Sequence, residues 1–381
     1  MILGIDASNI RAGGGITHLV ELLCAADPQE HGFDQVIVWG GLSTLSKIEA
    51  RGWLCKMHDP LLDRGLPYRM FWQRFRLKKL TQQAGCDVLF VPGGSDASGF
   101  RPMVAMSQNL LPFEWRETRR YGFSWITLKL LLLHLTQKQT FQRADGLIFL
   151  TRYAQDAVLK VVRSHRGKRT IIPHGINLRF FHPPRQQKKA EDFNEAFPCR
   201  ILYVSIVDVY KHQWYVAEAV VRLRAAGFPV VLDLVGPPGS GLGRLRATLR
   251  RVDPNARFIF CRGSVPYEEL HELYVAADIS VFASSCETFG QILMEAMSAG
   301  LPVACSNRSA MPELLGDAGV YFDPEDAGSI AKAIQVLIES PEVRAAKAQA
   351  AFERVAGYTW RRCADATFGF LAEVAGASHR V

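Results

Sequence analysis

The sequence lacks the features of a disulfide-rich, fibrous or membrane-spanning protein. Its eight cysteines are scattered, without a C-x-x-C pair or a histidine-rich neighbourhood, which argues against a disulfide framework and against a metal site. The most apolar run, FSWITLKLLLLHL at 123–135, is too short to cross a bilayer and contains Lys129 and His134. Internal repeats and low-complexity segments are also absent. We therefore expect a folded protein with reduced thiols and no transmembrane helix.

The N-terminal residues and the net charge indicate the cellular location of the protein and the class of its binding partners. MILGID is a short apolar run ending in an acid, without the basic start and long apolar core of a signal peptide. We expect a cytoplasmic protein. A formal net charge of +8 favours an anionic partner, such as nucleic acid, a phospholipid surface or a phosphorylated small molecule. Because no nucleic-acid-binding motif is present, nucleic acid is the least favoured of the three.

Short apolar runs alternate with amphipathic stretches along both halves of the 381 residues. A chain of this length exceeds one ordinary core, so two domains are expected. The runs predict buried parallel strands with helices on both faces, that is, an α/β fold of two doubly wound domains. They read MILGID, QVIVWG, DVLFVPG, MVAMS, GLIFLT and TIIPHG in the first half, then RILYVS, VVLDLVG, RFIFCRG, ISVFAS, PVACSN and GVYFDP.

The predicted domains are residues 1–180 and 198–357. Between them lies FHPPRQQKKAEDFNEAF, 181–197, which has no strand period and is either a long solvated loop or a hinge. The remaining segment, 358–381, has a helical pattern. Periodicity does not decide whether this helix packs on the second domain or crosses back to the first.

Two loops, each after the first strand of a domain, carry residues suited to an anion. Gly13, Gly14 and Gly15 precede a helix, so backbone can approach a ligand and free amides face it. A dinucleotide fingerprint fails because its third glycine would fall at His18, and a tight turn is an equal alternative to a phosphate cradle. Lys211 lies where a strand gives way to a helix, at the edge where open α/β sheets bind ligands. Its alternative is an ordinary solvated lysine.

Two carboxylates, Glu287 and Glu295, interrupt the otherwise apolar segment CETFGQILMEAMSAGLPV at 286–303. The first lies in the loop after a predicted strand, and the second lies inside a helix expected to begin near Phe289 or Gly290. The helix N-terminus between them suits a diphosphate, and carboxylates accept well from sugar hydroxyls. This pattern suggests a nucleoside diphosphate sugar. The alternative is an N-cap acid and an ordinary surface glutamate.

The segment from RFIFCRGSVPYEEL to GVYFDPED closely resembles the C-terminal domain of the retaining glycosyltransferases of family 4, which have the GT-B fold of two Rossmann-like domains facing a cleft. IIPHGINLRFFHP, ILYVSIVDVYKHQ and the GGG loop resemble further blocks of that family. The resemblance covers nearly the whole chain. It implies a metal-independent, cofactor-free hexosyltransferase that uses a nucleoside diphosphate sugar with UDP or GDP as the leaving group.

The resemblance also implies roles for individual residues. Glu287 and Lys211 are the expected catalytic residues, the first facing the sugar hydroxyls and the second neutralising the diphosphate. The expected donor-binding residues are Gly14 and Gly15 from the facing domain, Val265 at the base, Phe289, Gly290 and Gln291 at the sugar and diphosphate, and Glu295 at the ribose.

Two departures from the family pattern affect the site. An arginine usually precedes the lysine by five or six positions, where this chain has Ser205 and Ile206; Arg262 is the candidate to compensate. A His-Asp pair often lies near the reacting centre on the first domain, where this chain reads Gln108-Asn109. These two residues are assigned to the acceptor side. A non-catalytic nucleotide-sugar-binding protein of the same fold is the alternative function.

The segment PYRMFWQRFRLKKL, 67–80, interleaves basic residues with aromatics that include Trp72 and Phe75. Such a helix can lie on an anionic membrane surface, which would suit a lipid-linked acceptor. Alternatively the aromatics belong to the core and the charges face solvent. We therefore expect a hexosyltransferase whose acceptor is a glycan or lipid-linked glycan in surface polysaccharide, lipopolysaccharide or glycolipid synthesis. We expect it to act in the cytoplasm or peripherally at the inner membrane face.

Overall fold

The computed structural model describes residues 1–11 and 13–378, and its strands coincide with the apolar runs except for one additional strand, β3. The strands are β1 (Ile2–Asp6), β2 (Gln35–Gly40), β3 (Leu54–His58), β4 (Val88–Val91), β5 (Met103–Met106), β6 (Gly146–Phe149), β7 (Lys168–Ile171), β8 (Cys199–Val204), β9 (Val230–Val235), β10 (Ile259–Gly263), β11 (Ile279–Phe282), β12 (Val303–Ser306) and β13 (Val320–Phe322).

The α-helices alternate with these strands along most of the chain. They are α1 (Gly14–Ala25), α2 (Leu42–Leu45), α3 (Leu66–Trp72), α4 (Lys78–Gln83), α5 (Trp115–Thr118), α6 (Trp125–Arg143), α7 (Arg152–Val162), α8 (Gln213–Ala225), α9 (Leu242–Val252), α10 (Leu270–Ala276), α11 (Gln291–Ser298), α12 (Met311–Leu315), α13 (Ala327–Glu339), α14 (Pro341–Val355) and α15 (Trp360–Ser378). A π-helical turn, Gln73–Leu77, connects α3 to α4.

The first of two compact units contains Met1–Trp115, Ser124–Gly175 and 358–378. Its seven strands are parallel, in the order β3-β2-β1-β4-β5-β6-β7. The central strands are buried along their whole length, as in VLFV and MVAM, because helices cover both faces of a parallel sheet. Helix α15 packs on α1 and β4 of this unit. Its Phe370 and Val374 lie close to Gly146, where an added Cβ would come within 2.9 Å of the Phe370 ring.

The second unit contains Arg116–Phe123 and Ile176–Gly357. Its six parallel strands have the order β10-β9-β8-β11-β12-β13. The predicted junction at 181–197 lies inside this unit and is anchored to it, since Arg185 donates to the Val275 carbonyl (2.9 Å) and to Asp278 (2.8 Å). The chain therefore passes into the second unit after Gly175, earlier than the predicted boundary at residue 180.

Both sheets have a point at which strand order reverses, and both candidate loops of the sequence lie there. Strand β1 has β2 and β4 as neighbours, and strand β8 has β9 and β11. Ligands of open α/β sheets bind outside the carboxyl ends of the strands at such a point. In the first unit these ends lead into the glycine loop and the segment 92–99. In the second unit they lead into 205–212 and 283–290.

The basic aromatic segment 67–80 forms α3, the π-helical turn and the start of α4, and its aromatics divide between core and surface. Trp72, which the sequence paired with Phe75 as a membrane contact, is fully buried, and its indole donates to Asp59 (2.9 Å). That assignment was wrong for Trp72. Phe71 and Phe75 are 51% and 67% exposed. In residues 1–11 and 13–378, no helix combines the length and apolarity needed to cross a membrane, and all eight cysteines are free thiols.

A buried cluster of polar rings joins three segments of the first unit. The rings of His18 on α1 and His174 after β7 are 4.5 Å apart, and Trp360 at the start of α15 lies 5.7 Å from His174. The Cys363 sulfur lies within 4.8 Å of both histidines. Burial lowers the pKa of His18 to about 3 and that of His174 well below its usual value. Both rings are therefore neutral at neutral pH.

Acid should destabilise the protein through this cluster. Between the unfolded pKa near 6.5 and the folded pKa near 3, the unfolded state binds a proton at His18 that the folded state does not, so the free energy of unfolding falls with falling pH. His18→Phe keeps a ring but removes the proton site. We expect its urea midpoint to fall less than that of the wild type between about pH 7 and about pH 4.5. Equal falls in the two proteins would show that His18 does not contribute to the pH dependence.

Candidate functional site

Lys211 lies in the loop after β8 and is held inward by its own backbone. Its amide donates to the Asp208 carbonyl (3.1 Å), and its carbonyl accepts from the Tyr203 hydroxyl (2.5 Å). The next residue, His212, has a left-handed backbone (φ 55°) and begins α8. Only 6% of Lys211 is exposed. The alternative of a solvated surface lysine is therefore wrong.

The Lys211 ammonium forms an ion pair with the Glu287 carboxylate. It also lies 5.0 Å from the ring centroid of Tyr210 and 5.2 Å from that of Phe282, within cation–π range. Glu287 is 17% exposed at its side chain. The two residues, 76 positions apart in the sequence, meet because β8 and β11 are neighbours in the sheet.

The backbone of Glu287 is fixed by Ser309, which the sequence did not single out. The Ser309 hydroxyl accepts from the Glu287 amide (2.8 Å) and donates to the Glu287 carbonyl (2.9 Å). Ser309 has a positive φ of 58°, which a non-glycine residue rarely adopts and which often marks a functional site. The serine therefore orients the carboxylate toward Lys211.

Helix α11 begins at Gln291, one or two residues after the predicted start near Phe289 or Gly290. Gly290 caps it with a left-handed backbone of φ 83°. A Cβ there would lie 2.7 Å from the methyl group of the flexible Met311 side chain, so it is the backbone conformation that favours glycine. Phe289 is buried. The first turn of α11 contains no acidic residue, and its N-terminus, beside the Lys211–Glu287 pair, favours an anion.

Glu295 is a core residue of α11 without exposed surface, so the alternative of an ordinary surface glutamate is wrong. The Tyr274 hydroxyl donates to it (3.2 Å). Burial raises its pKa to about 8, and nearby Tyr267 and Arg179 partly offset that rise. Its ribose contact stays a prediction, and it requires a neighbour to move. The neighbours in question are Tyr267 and Arg179, whose guanidinium lies 5.4 Å from the Tyr267 ring centroid.

A polar network next to Lys211 was missed by the sequence analysis. The His212 ring bonds the Ser285 hydroxyl (2.9 Å), which donates to Glu117 (2.6 Å). Arg120 joins Glu117 (2.7 Å) to Glu325 (2.6 Å). This arginine holds the pKa of Glu325 at about 2. The segment 116–123 belongs to the second unit although most of its sequence neighbours belong to the first, and no local pattern signals this.

The remaining second-unit candidates are less closely connected to the pair. Arg262 donates to Asp233 (2.7 Å), which also accepts from Arg200 (2.9 Å). These contacts engage Arg262 within the sheet, and its diphosphate role stays a prediction. Val265 follows β10 and is partly exposed. Its backbone contact with a base likewise stays a prediction.

The first-unit candidates lie together around the carboxyl end of β1. Gly14 is the first residue of α1, and a Cβ added to it would meet nothing within 4 Å. A Cβ on Gly15 would lie 3.8 Å from the Gln108 side chain. Gln108 donates to the Pro92 carbonyl (3.2 Å), and Asn109 lines a cavity of about 870 Å³ in this unit. The glycine loop and the Gln108-Asn109 pair therefore share one edge of the sheet.

Two parallel Rossmann-like sheets, with a buried ion pair at the switch point of the second, define a GT-B protein. The model for Glycosyl transferases group 1 matches residues 183–354, and that for Glycosyltransferase Family 4 matches residues 12–180. The chain belongs to the group 1 glycosyltransferases of family 4. The family and the fold predicted from the sequence are thus confirmed.

Relatives and a solved structure agree with this assignment. Over 105 residues, 28% of both chains, the chain is 37% identical to the O-antigen chain mannosyltransferase B of Escherichia coli. It is 29% identical over 242 residues to the GDP-mannose-dependent alpha-(1-6)-phosphatidylinositol dimannoside mannosyltransferase of Mycobacterium tuberculosis, covering 62% of this chain and 60% of that one. Sucrose-phosphate synthase from Thermosynechococcus elongatus has the same fold (TM-score 0.76, 19% identity, 99% and 100% covered).

Glu295 should make the protein less stable in base. Between its unfolded pKa near 4.5 and its folded pKa of about 8, the folded state holds a proton that the unfolded state has lost, so the free energy of unfolding falls as pH rises through this range. Glu295→Gln keeps the shape without the titration. We expect its urea midpoint to fall less than that of the wild type between about pH 6 and about pH 9. A parallel fall in both proteins would place an ionised carboxylate in the core.

Proposed function

We propose that the protein is a retaining, metal-independent hexosyltransferase that uses a nucleoside diphosphate sugar. Its acceptor is a glycan or lipid-linked glycan of a surface polysaccharide or glycolipid. The observation that carries the proposal is the buried Lys211–Glu287 pair beside the N-terminus of α11, in a chain of this family. A cation and free amides at one point suit a diphosphate, and a partly exposed carboxylate next to them suits sugar hydroxyls.

Each member of the pair has a separate task in the proposed reaction. When the donor binds, the Lys211 ammonium turns from Glu287 to the diphosphate and stabilises its growing negative charge as it leaves. The amides of α11 add to this stabilisation, which is large where water is excluded. Glu287, released from the lysine, accepts from the sugar hydroxyls and fixes the orientation of the ring. The ion pair thus keeps both groups in place and charged before the donor arrives.

The proposed transfer proceeds with retention at the anomeric carbon. The bond from this carbon to the diphosphate oxygen breaks while the acceptor oxygen forms a bond on the same face of the sugar. The acceptor hydroxyl gives its proton to the departing phosphate oxygen, so the protein needs no histidine base at Gln108. What the protein supplies is position and charge stabilisation.

The relatives support the acceptor class. One is named for the O-antigen chain and the other for a phosphatidylinositol mannoside, so a surface glycan and a glycolipid are both represented. For the donor, melting temperatures measured with UDP, GDP and ADP would identify the base, since a ligand that binds only the folded state stabilises it.

Variants at the pair should separate binding from transfer. Lys211→Ala and Glu287→Ala should each reduce transfer of radiolabelled sugar by about a hundredfold or more. Glu287→Ala should retain most of its nucleotide affinity, whereas Glu295→Ala should weaken it. The exposed Glu272 of α10 provides the control, and Glu272→Ala should change neither quantity.

Two outcomes would contradict these assignments. Full transfer activity in Glu287→Ala would show that this carboxylate has no role in the reaction. Wild-type protein that binds a nucleotide sugar but transfers nothing from any donor tried would favour the non-catalytic alternative, with the missing arginine at Ser205 or Ile206 as its cause.

Peripheral membrane contact is part of the proposal and rests on the exposed aromatic side chains of α3 and the π-helical turn. Phe71 and Phe75 are exposed among the arginines and lysines of the segment 67–80, which suits an anionic bilayer surface. Phe71→Ser/Phe75→Ser should therefore float less well with anionic vesicles than the wild type. Phe197, which is 70% exposed in the second unit, is the control. If Phe197→Ser has the same effect, or neither variant has any, the segment is not a membrane contact.

A further inference from the structure

The cavity of about 870 Å³ in the first unit is bordered by one stripe of α3 with the π-helical turn and one stripe of α6. The first stripe consists of Leu66, Arg69, Met70, Gln73 and Arg74, and the second of Lys129, Leu132, Leu133, Thr136, Gln137, Gln139, Thr140 and Arg143. Fourteen residues of helix span about 21 Å, so the wall is elongated. Between the stripes lie Asn9 and the segment 93–97, at the switch point of the sheet.

Three residues that line this cavity, Gln137, Ser95 and Arg69, each carry one buried polar atom that has no hydrogen-bond partner within residues 1–11 and 13–378. Gln137 is only 3% exposed. Polar side chains from three segments therefore meet around one cavity, which favours a polar ligand. Acceptors and donors are both present, as hydroxyl groups of a sugar require.

The charge around the cavity is mainly positive. Arg74, Lys129 and Arg143 line it, and among residues 1–11 and 13–378 none of the three has a carboxylate within ion-pair distance. Asp96 is the acidic residue of the lining, and its carboxylate already accepts from the Ser98 amide and hydroxyl and the Gly99 amide. The cavity therefore suits an anion as well as hydroxyl groups.

The N-terminal half of α6 adds an apolar surface to this polar and cationic space. Leu132 and Leu133 line the cavity. Next to them the same helix exposes Leu128, Leu131 and Leu135, with Trp125 at its start 77% exposed. Adjacent exposed leucines are uncommon on a soluble surface and mark an interaction site. Along α6 the lining changes from lysine and leucine to Thr136, Gln137 and Thr140 within three turns.

We infer that this cavity binds the acceptor, and that the acceptor is an anionic amphiphile: a sugar linked through phosphate to a lipid. The sugar occupies the space beside Gln137 and Ser95, the phosphate meets Lys129 and Arg74, and the lipid lies on the exposed leucines of α6. The inference rests on the proposed function, because only a transferase gives this ligand the role of an acceptor. It goes beyond that function by choosing a lipid-linked phosphate over a soluble glycan and by locating its site.

Binding of three probes to the full-length protein tests this assignment. Decyl diphosphate has the charge and the tail, decyl maltoside the tail and a sugar, and inorganic diphosphate the charge alone. By titration calorimetry below the micellar concentrations, we expect decyl diphosphate to bind at least about tenfold more tightly than either other probe. Equal affinity for decyl diphosphate and inorganic diphosphate would overturn the inference that the ligand is an amphiphile.

Matched variants on one helix locate the phosphate. Lys129→Glu should weaken decyl diphosphate binding by about tenfold or more, because it replaces a cation in the lining with an anion. Lys138→Glu, nine residues further along α6 and so on its opposite side, lies outside the lining and should have no effect. Equal effects of the two variants would show only long-range attraction and would overturn the site. Unchanged melting temperatures confirm that both variants fold.

A second pair of variants separates the cavity from a general lipid surface. Leu132 lines the cavity and Leu131 does not, although both are similarly exposed. Leu132→Asp should weaken binding of decyl diphosphate several-fold more than Leu131→Asp. Equal losses, together with full competition by anionic phospholipid vesicles, would identify a bilayer-docking surface and overturn the acceptor site.

The donor site must be distinguished because it also suits a diphosphate. Lys211→Ala should leave decyl diphosphate affinity unchanged if the probe binds the first unit, and loss of affinity in this variant would overturn the assignment. If the amphiphile binds as expected while no donor supports transfer, the proposed function fails and the binding site stands. The two failures therefore have different signatures.

Discussion

The ion pair between Lys211 and Glu287 is the interaction on which the candidate site depends. Taking two charges out of water is costly, and the cost is repaid only if each charge keeps its partner. Neither residue can therefore be removed without leaving the other charged and poorly solvated. A ligand that supplies its own anion can, however, replace the glutamate as the partner of the lysine. In the proposed function the pair is a preformed diphosphate site, in which the carboxylate is the partner of the lysine until the donor binds.

Several local features serve this pair, and all follow from the order of strands. Since β8 and β11 are neighbours, the loops that follow them meet. His212 and Gly290 have left-handed backbone at the starts of α8 and α11. Ser309, which holds the backbone of Glu287, also has a positive φ. The network from Glu325 to His212 adds a second polar layer beside the lysine. Such concentration of unusual backbone and buried polar groups is typical of a functional site rather than of a core that serves stability alone.

The sequence predicted the buried strands well because parallel strands covered on both faces are continuous apolar runs. It missed β3, an edge strand whose Lys56, Met57 and His58 are exposed. It could not predict that Trp72 turns inward, since the cause is Asp59 on a preceding segment, nor that 116–123 joins the second unit. At the site, residue types and order indicated Lys211 and Glu287, whereas Ser309 and the burial of Glu295 depend on contacts between segments distant in the sequence.

The return of α15 to the first unit has a consequence for the order in which the protein forms. On the ribosome, every residue of the second unit has been made once Gly357 is added, whereas the helix that covers Gly146 and meets His174 follows later. Domains usually complete in the order of their synthesis, but here the unit that begins first is completed last. Until Trp360 and Phe370 arrive, the face of the sheet around Gly146 is an uncovered apolar surface on the nascent chain.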